Sequence, residues 1–276
     1  MTNSSGFDPT KGICAPLDEW LEFNAHGAFA TEGGLARVAP FPPPELMKET
    51  SGLIRPQDFA NHGLLICRAF AGACPLPLSE FGSILDFGVG VGRLARMFKG
   101  FSGTYVGVDV DRRNIDWITE NLVYVAAVRT LPRRPLPFGD GFFEAIISVS
   151  VFTHMNEADC QFYLNELKRV LKPGGYFLAS LQGERALQRA SEEVPIKEML
   201  CLSLAEVAAA QKELSAGSGF CFAPQITHLT SDAYDYGMTF VSQSFVEEIW
   251  GREFCSVQVR QAAIADFQDI AVFRNA

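Results

Sequence analysis

The residues best suited to chemistry lie at positions 83–94, which read SILDFGVGVGRL. An apolar run ends in an acid, Asp86, and glycines follow at positions 88, 90 and 92. Glycine at every second position lets the backbone turn sharply, so that its amides can donate to a ligand held close to the chain. The carboxylate of Asp86 favours a ligand that carries an ammonium or sulfonium charge. A tight strand-to-helix connection without a ligand is the alternative interpretation.

The spacing of the glycines argues against a dinucleotide ligand. The dinucleotide fingerprint has its third glycine one residue later, where this chain has Arg93. A second acid, Asp109, follows Gly88 by 21 positions and ends an apolar strand predicted over residues 104–108. At the tip of that neighbouring strand, its carboxylate is suited to accept hydrogen bonds from the two hydroxyls of a ribose.

One histidine is placed where a proton could be accepted. His154 follows an apolar strand predicted over residues 144–149. Loops at strand ends border the ligand site in open α/β sheets, so His154 is a candidate general base. The alternative is a loop histidine with only a structural hydrogen bond. The same loop carries serines and no clustered carboxylates, so no metal site is predicted.

Alternating strands and helices must position these residues. Strands are predicted over residues 104–108, 144–149, 176–180, 254–259 and 269–273, with a shorter one within 123–138. Helices are predicted over residues 45–48, 59–71, 112–122, 156–171 and 203–214. The expected caps are Asp111, Asn156, a Ser203–Glu206 box and, for a later helix, a Ser244–Glu247 box. The pattern predicts an α/β fold with a doubly wound, mostly parallel seven-stranded sheet of the Rossmann-like type.

The alternation of strands and helices is limited to a core, which a segment precedes and a second segment interrupts. Residues 1–80 form a predicted helical and loop-rich cap, residues 81–181 and 243–276 the core, and residues 182–242 an insertion before the last helix and strands. Aromatic residues are frequent in the insertion, which makes it the region predicted to contact a substrate. These candidate substrate contacts, for which mere packing is the alternative, are Phe220, Phe222, Tyr234 and Tyr236.

Composition limits the partners. The 276 residues are 48% hydrophobic and 20% charged, enough for one sizeable core. A net charge of -9 and a pI near 5.0 disfavour nucleic acid. Seven cysteines without a Cys-x-x-Cys pair indicate reduced thiols. The start MTNSSG lacks a basic region before an apolar run, and no stretch reaches membrane-spanning length, so a soluble cytoplasmic protein is expected.

Three segments resemble the class I S-adenosylmethionine-dependent methyltransferases, in a small-molecule branch of that family. They are ILDFGVGVGR, LPFGDGFFEAIISVSVFTHM and LKRVLKPGGYFLAS, and they occur in the family's order over residues 83–181. The ending QDIAVFR is similar to that branch as well. The resemblance implies S-adenosylmethionine as cofactor and S-adenosylhomocysteine as product.

The resemblance also implies a cofactor site. Gly88, Gly90 and Gly92 would contact the methionyl part of the cofactor, with Asp86 at its ammonium group and Asp109 at the ribose. The family usually places an acid near the end of the third strand for the adenine amino group, and none is present at residues 129–131. The remaining contacts implied are Val89, Arg93, Val110, Ser148 and, against the adenine ring, Leu131.

The loop after the predicted 144–149 strand narrows the chemical class of the methyl acceptor. Amino-group methyltransferases of nucleic acids and of protein glutamine usually carry Asp/Asn-Pro-Pro-Tyr/Phe there, whereas residues 148–151 read SVSV. The predicted reaction is therefore methyl transfer to a hydroxyl or amine of a small molecule, such as a sugar or secondary metabolite. A catalytically silent partner protein of the same fold is the alternative, and a dehydrogenase is a third interpretation that Arg93 disfavours. The oligomeric state is left open.

Overall fold

The computed structural model describes residues 17–30, 38–225 and 235–276. The chain divides into two compact units, with the boundary between Arg129 and Thr130. Across the described residues, no helix combines the length and the apolar composition that a bilayer span requires. The predicted division into cap, core and insertion stays a prediction.

The first unit contains helices on either side of a glycine turn, and three strands. Its helices are α1 (Leu17–Ala30), α2 (Pro44–Ser51), α3 (Pro56–Ala73) and α4 (Arg112–Asn121), and its strands are β1 (Ser83–Phe87), β2 (Thr104–Asp109) and β3 (Val125–Arg129). The strands are parallel in the order β3-β2-β1. The predicted cap of α4 is confirmed, because Asp111 accepts a hydrogen bond from the backbone N–H of Arg113 at 2.8 Å.

The segment after the glycine turn differs from the expected regular helix start. It forms turns and then a short 3-10 helix, Ala95–Phe98. Within it, the buried guanidinium of Arg96 donates to the carbonyls of Asn24 and Ala39 and lies over the Phe41 ring. These contacts join residues more than fifty positions apart, and the local sequence does not reveal them.

The second unit contains the remaining strands. Its strands are β4 (Phe143–Ser148), β5 (Leu171–Gln182), β6 (Phe220–Pro224), β7 (Gly237–Val241), β8 (Ser256–Ile264) and β9 (Gln268–Arg274). Its helices are α5 (Glu157–Val170), α6 (Glu184–Glu192), α7 (Val194–Met199), α8 (Leu204–Ala216) and α9 (Gln243–Glu248). Strands β4 and β5 are parallel, and β9 and β8 follow antiparallel in the order β4-β5-β9-β8. The predicted α/β fold with a mostly parallel, seven-stranded Rossmann-like sheet is confirmed.

Helix caps in the second unit test the sequence predictions locally. The Asn156 cap and the Ser203–Glu206 capping box are both present. The predicted Ser244–Glu247 box is wrong, because α9 begins two residues earlier than it requires. Strand β7 ends at Val241, and Ser242 is the residue whose hydroxyl accepts from the backbone N–H of Phe245, at 3.1 Å. Strand β6 pairs antiparallel with β7, apart from the main sheet.

Candidate functional site

The glycine turn after β1 is held in place by β2. Gly88, Gly90 and Gly92 have φ values of 81°, 55° and 80°, a region that favours glycine. The backbone N–H groups of Gly88 and Val89 both donate to the Val108 carbonyl at 2.9 Å. Strand β2 therefore satisfies these two amides, and the contact of the turn with a ligand stays a prediction.

Glycine is favoured at the positions of the turn for different reasons. A Cβ at Gly92 would lie 2.6 Å from Cδ1 of Leu122, the residue after α4, so that side chain would have to move, and the φ of 80° favours glycine there as well. A Cβ at Gly90 would meet only Thr50 within 4 Å among the described residues, at an ordinary 3.7 Å. The face of the turn at Gly90 is therefore the one with room for a ligand, and Thr50 of α2 borders it.

Asp109 is bound to the turn. One carboxylate oxygen accepts from the backbone N–H of Gly90 at 2.8 Å, and the other accepts from that of Asp111, also at 2.8 Å. Burial raises the pKa of Asp109, although the N–H donors of Asp111 and Gly90 and the side chain of Asn114 oppose that shift. A carboxylate has about four acceptor positions, so Asp109 retains capacity for a hydroxyl donor beyond its bonds to Gly90, Asp111 and Asn114.

Asp86 lies in the interior next to β2. It is 3% exposed, and the Tyr105 hydroxyl donates to it at 2.8 Å. Burial raises the pKa of the Asp86 carboxyl to about 7, against the opposing effect of Tyr105. A group with this pKa is partly protonated near neutral pH, and a nearby cation would favour its charged form.

Arg93 stands beside this acid rather than in open solvent. Its guanidinium donates to Nδ1 of His62 at 3.2 Å. Burial lowers the pKa of Arg93 to about 10, and the charge of Asp86 opposes that shift. Burial and the charge of Arg93 lower the pKa of His62 to about 4, which keeps its imidazole neutral and able to accept this bond.

Val89 and Val110 contribute to the first unit in different ways. The Val89 side chain is buried against Gly107 of β2, where a Cβ would approach it to 2.8 Å, so its backbone is the part near the turn surface. Val110 follows Asp109, and its carbonyl accepts from Nε of Arg129 at 3.4 Å. Both contacts with a cofactor stay predictions.

In the second unit, Leu131 and Ser148 differ in exposure. Leu131 is 55% exposed, so its side chain is accessible to a ligand. Ser148 ends β4 and is 1% exposed, and its hydroxyl has no hydrogen-bond partner among the described residues. Buried hydroxyls are normally paired, so Ser148 has hydrogen-bonding capacity for a ligand.

His154 has a defined orientation. Its Nδ1 donates to the Gly237 carbonyl at 3.0 Å, which leaves the lone pair of a neutral ring on Nε2. The Tyr236 ring stacks on the imidazole, with 4.7 Å between centroids and 15° between planes, and its hydroxyl lies 3.5 Å from Nε2. This geometry is compatible with a general base and also with a structural histidine.

The predicted aromatic contacts are dispersed. Phe220 is 7% exposed and packs on Phe245 and Trp250, which gives it a packing role. Phe222 lies across the β6–β7 pair against Gly237, and Tyr236 stacks on His154. Tyr234 lies outside the described residues. Among the described members of this set, Tyr236 is the one that contacts another candidate, His154.

Sequence reasoning missed several polar residues near these candidates. Tyr105 donates to Asp86, Asn114 contacts Asp109, and Thr50 borders Gly90. In the second unit, Ser150 adopts φ 57° and Gln182 is buried at the end of β5. The signal available for Tyr105 was its position in a predicted buried strand. The positions of the other residues depend on contacts between parts of the chain that are distant in sequence.

Comparison with known proteins agrees with the predicted class. Residues 85–179, less than half of the chain, match the family model of a methyltransferase domain. That segment contains the glycine turn, Asp86, Asp109, Ser148 and His154. The methyltransferase class that the resemblance implies is thus supported, and the small-molecule branch stays a prediction.

Solved structures share the fold. The PH0226 protein from Pyrococcus horikoshii OT3 is 16% identical, with 83% of this chain and 96% of that chain covered at a TM-score of 0.56. Human N-acetylserotonin methyltransferase in complex with SAM is 14% identical, with 93% and 62% covered at 0.52. The glycopeptide N-methyltransferase MtfA complexed with SAM is 14% identical, with 78% and 94% covered at 0.50. Two of these three bind the cofactor that the resemblance implies.

Proposed function

We propose that this chain is an S-adenosylmethionine-dependent methyltransferase that methylates a hydroxyl or amine of a small molecule. The observation that carries the proposal is the bond from Gly90 N to Asp109, which joins an acid at a strand tip to a glycine turn inside a methyltransferase-domain match. The proposed acceptor class rests on the 148–151 loop, which lacks the motif typical of amino-group methylation of nucleic acids and protein glutamine.

The residues present fit this cofactor in two respects. The Gly90 face has room, as the Cβ position there meets Thr50 at an ordinary 3.7 Å. Asp109 retains acceptor capacity for hydroxyls, and buried Asp86 is an acid whose charged form a cation would stabilise. When bound, the cofactor supplies a methyl group already activated on a sulfonium.

The main task of the protein's own residues is to orient the cofactor and the methyl acceptor. Asp109 would hold the ribose, the glycine turn would approach the methionyl part, and Leu131 would cover the adenine. His154 would accept the acceptor's proton at Nε2, while the Gly237 carbonyl fixes its tautomer. Isothermal titration calorimetry with S-adenosylmethionine, S-adenosylhomocysteine and nicotinamide dinucleotides tests the proposal. We expect binding of the first two only, and tight binding of a dinucleotide instead would contradict it.

Replacing Asp109 by alanine should weaken cofactor binding. Loss of a charged acceptor for hydroxyls costs about 1.5 to 3 kcal/mol, or roughly 10- to 150-fold in Kd by calorimetry. Because Gly90 and Asp111 also lose their acceptor, the free energy of unfolding should fall as well. Asp111→Ala is the matched control, since it removes the cap of α4 but no proposed cofactor contact. Equal affinity in the two variants would refute the ribose assignment.

Cofactor affinity should depend on pH through Asp86. With a carboxyl pKa of about 7 in the free chain, the charged form that suits a cation grows as pH rises. Affinity should therefore increase with pH, by at most about tenfold per unit, and level off above about 7. Calorimetry in buffers of different ionisation enthalpy should detect proton release on binding below that pH. Asp86→Asn should lose both effects, and their persistence would exclude Asp86.

Stability gives an independent check on the same group. Because the folded pKa of Asp86 lies above its ordinary value, the folded chain binds the extra proton between those two values. The contribution of this group to the free energy of unfolding is then full at low pH and is lost as pH rises toward 7. Asp86→Asn should flatten that slope in urea titrations.

A catalytically silent protein of the same fold is the second candidate. It is favoured by one observation, the internal use of the amides of Gly88, Val89, Gly90 and Gly92. Such a protein needs its glycine turn for folding alone. Absence of S-adenosylmethionine binding, with the fold intact by circular dichroism, would support this candidate over the first.

A further inference from the structure

Unpaired buried oxygens are concentrated in one part of the second unit. Within the described residues, its buried side-chain atoms without a hydrogen-bond partner are Ser148 Oγ, Thr153 Oγ1 and Gln182 Oε1. Ser148 ends β4, Thr153 follows it, and Gln182 ends the adjacent parallel strand β5. Since buried polar atoms are normally paired, these strand ends have hydrogen-bonding capacity that the fold itself does not use.

Gln182 belongs to a set of polar residues on one sheet face. Gln182 pairs with Gln268 across β5 and β9, and Ser180 lies on the same face because side chains alternate along a strand. The Ser180 hydroxyl accepts from the backbone N–H of Ser150 at 2.8 Å, and the Gln268 amide donates to the Ser150 hydroxyl at 3.1 Å. We call Ser150, Ser180, Gln182 and Gln268 the Gln182 cluster.

Two members of the cluster are buried, and Ser150 and Gln268 are partly exposed. Gln182 is 5% exposed and Ser180 is fully buried. Ser150 adopts φ 57°, which residues with a side chain rarely do, and its two bonds to Ser180 and Gln268 hold it there. Strained backbone of this kind persists where the surroundings over-determine it, commonly at ligand sites. The carbonyl oxygen of Gln182 is therefore a buried acceptor without a donor, next to this hydrogen-bonded group.

The side chains of the Gln182 cluster favour an uncharged hydrogen-bond donor on the ligand. Its side chains are two hydroxyls and two carboxamides, with no formal charge. The nearest acid along β9, Asp269, pairs with Leu181 and so lies on the opposite face, where it accepts from the Ala262 N–H at 2.7 Å. An ammonium group would lose its hydration here without a carboxylate to offset the loss. A carboxylate or phosphate would meet the Gln182 carbonyl oxygen with no cation beside it.

Resting on the proposed methyltransferase function, we propose that Gln182 is a specificity residue that accepts a hydrogen bond from a hydroxyl of the methyl acceptor. Ser150 and Gln268 line the same subsite. The acceptor class is therefore a neutral compound with more than one hydroxyl, one of which is methylated while another is recognised. Protonated amines are disfavoured.

The test is Gln182→Met, which keeps the side-chain length and removes the unpaired acceptor. Its Tm should rise by about 2 to 4 °C, because a buried oxygen without a partner is lost. Its affinity for S-adenosylmethionine by calorimetry should not change. With methyl-labelled S-adenosylmethionine and a panel of sugars, polyols and primary amines, the KM for the hydroxylated acceptor should rise about tenfold.

Gln258→Met is the matched control, an exposed position on β8 that should change neither Tm nor KM. A Tm of Gln182→Met that is unchanged or lowered overturns the inference, as does an unchanged KM or labelling of amines alone. A wild-type chain that binds no S-adenosylmethionine overturns the proposed function instead. The two failures are thus distinguishable.

Discussion

Gly90→Val should abolish binding of S-adenosylmethionine. The Gly90 backbone has φ 55°, a region in which a β-branched residue is a genuine outlier. Holding valine in this conformation costs about 1 to 2 kcal/mol, so the turn should distort. The new side chain would also fill the face that has room for a ligand, next to Thr50. A shift of the turn would break the 2.8 Å bond from Gly90 N to Asp109. Calorimetry should detect no binding at cofactor concentrations that saturate the wild type.

A smaller pair of substitutions separates ligand exclusion from backbone strain. Gly141 has φ 60°, and a Cβ there would meet Lys172 and Pro173 at an ordinary 3.8 Å. Gly90→Ala and Gly141→Ala therefore carry the same kind of strain with similar space. We expect both to lose stability, and only Gly90→Ala to lose cofactor affinity. Normal binding by Gly90→Val would contradict the assignment of the turn as the cofactor site.

His154→Ala should lower the methyl-transfer rate about a hundredfold, the usual contribution of a positioned general base. Cofactor affinity should change little. Single-turnover transfer of labelled methyl groups at saturating S-adenosylmethionine measures the rate, and calorimetry measures the affinity.

His154→Asn distinguishes the base from a structural histidine. The asparagine amide nitrogen occupies nearly the place of Nδ1, so it can still donate to the Gly237 carbonyl, as His154 does at 3.0 Å. The Nε2 position near Tyr236 is lost. If His154 is the base, the asparagine variant should be as slow as the alanine variant, with a higher Tm. Restored turnover in His154→Asn would remove His154 from proton transfer and leave orientation as the main source of rate.

Much of the fold was predictable because its signals are local. The solid apolar run of β4 predicts a buried parallel strand, and the α5 helix has its cap at Asn156 and an apolar stripe. Helices α6 and α7 were not predicted. Helix α6 has four charged residues among nine and is stabilised by burial of Ala186, Leu187 and Ala190 in a cluster with α8, which is a tertiary contact. Propensity alone is a weak signal in so short a segment.

In the candidate site, the sequence likewise identified some features and missed others. Residue types and spacing identified the glycine turn, Asp86, Asp109 and His154, because short motifs carry their chemistry in adjacent positions. They did not identify the partner of each group. The tyrosine that donates to Asp86 is nineteen positions away, and the carbonyl that orients His154 is eighty-three positions away. Such pairs depend on strand register and on the path of the insertion.

By itself, the sequence determined the α/β class, the glycine turn after a strand and the acids that flank the turn, since each follows from hydrophobic period, glycine placement and charge. Only the tertiary structure decided how those groups behave. Burial raises the Asp86 pKa, β2 satisfies the turn amides, and Gln182 keeps an unpaired oxygen beside Gln268. The physical reason is that desolvation and hydrogen-bond satisfaction depend on what surrounds a group in space, and those neighbours are distant in the chain.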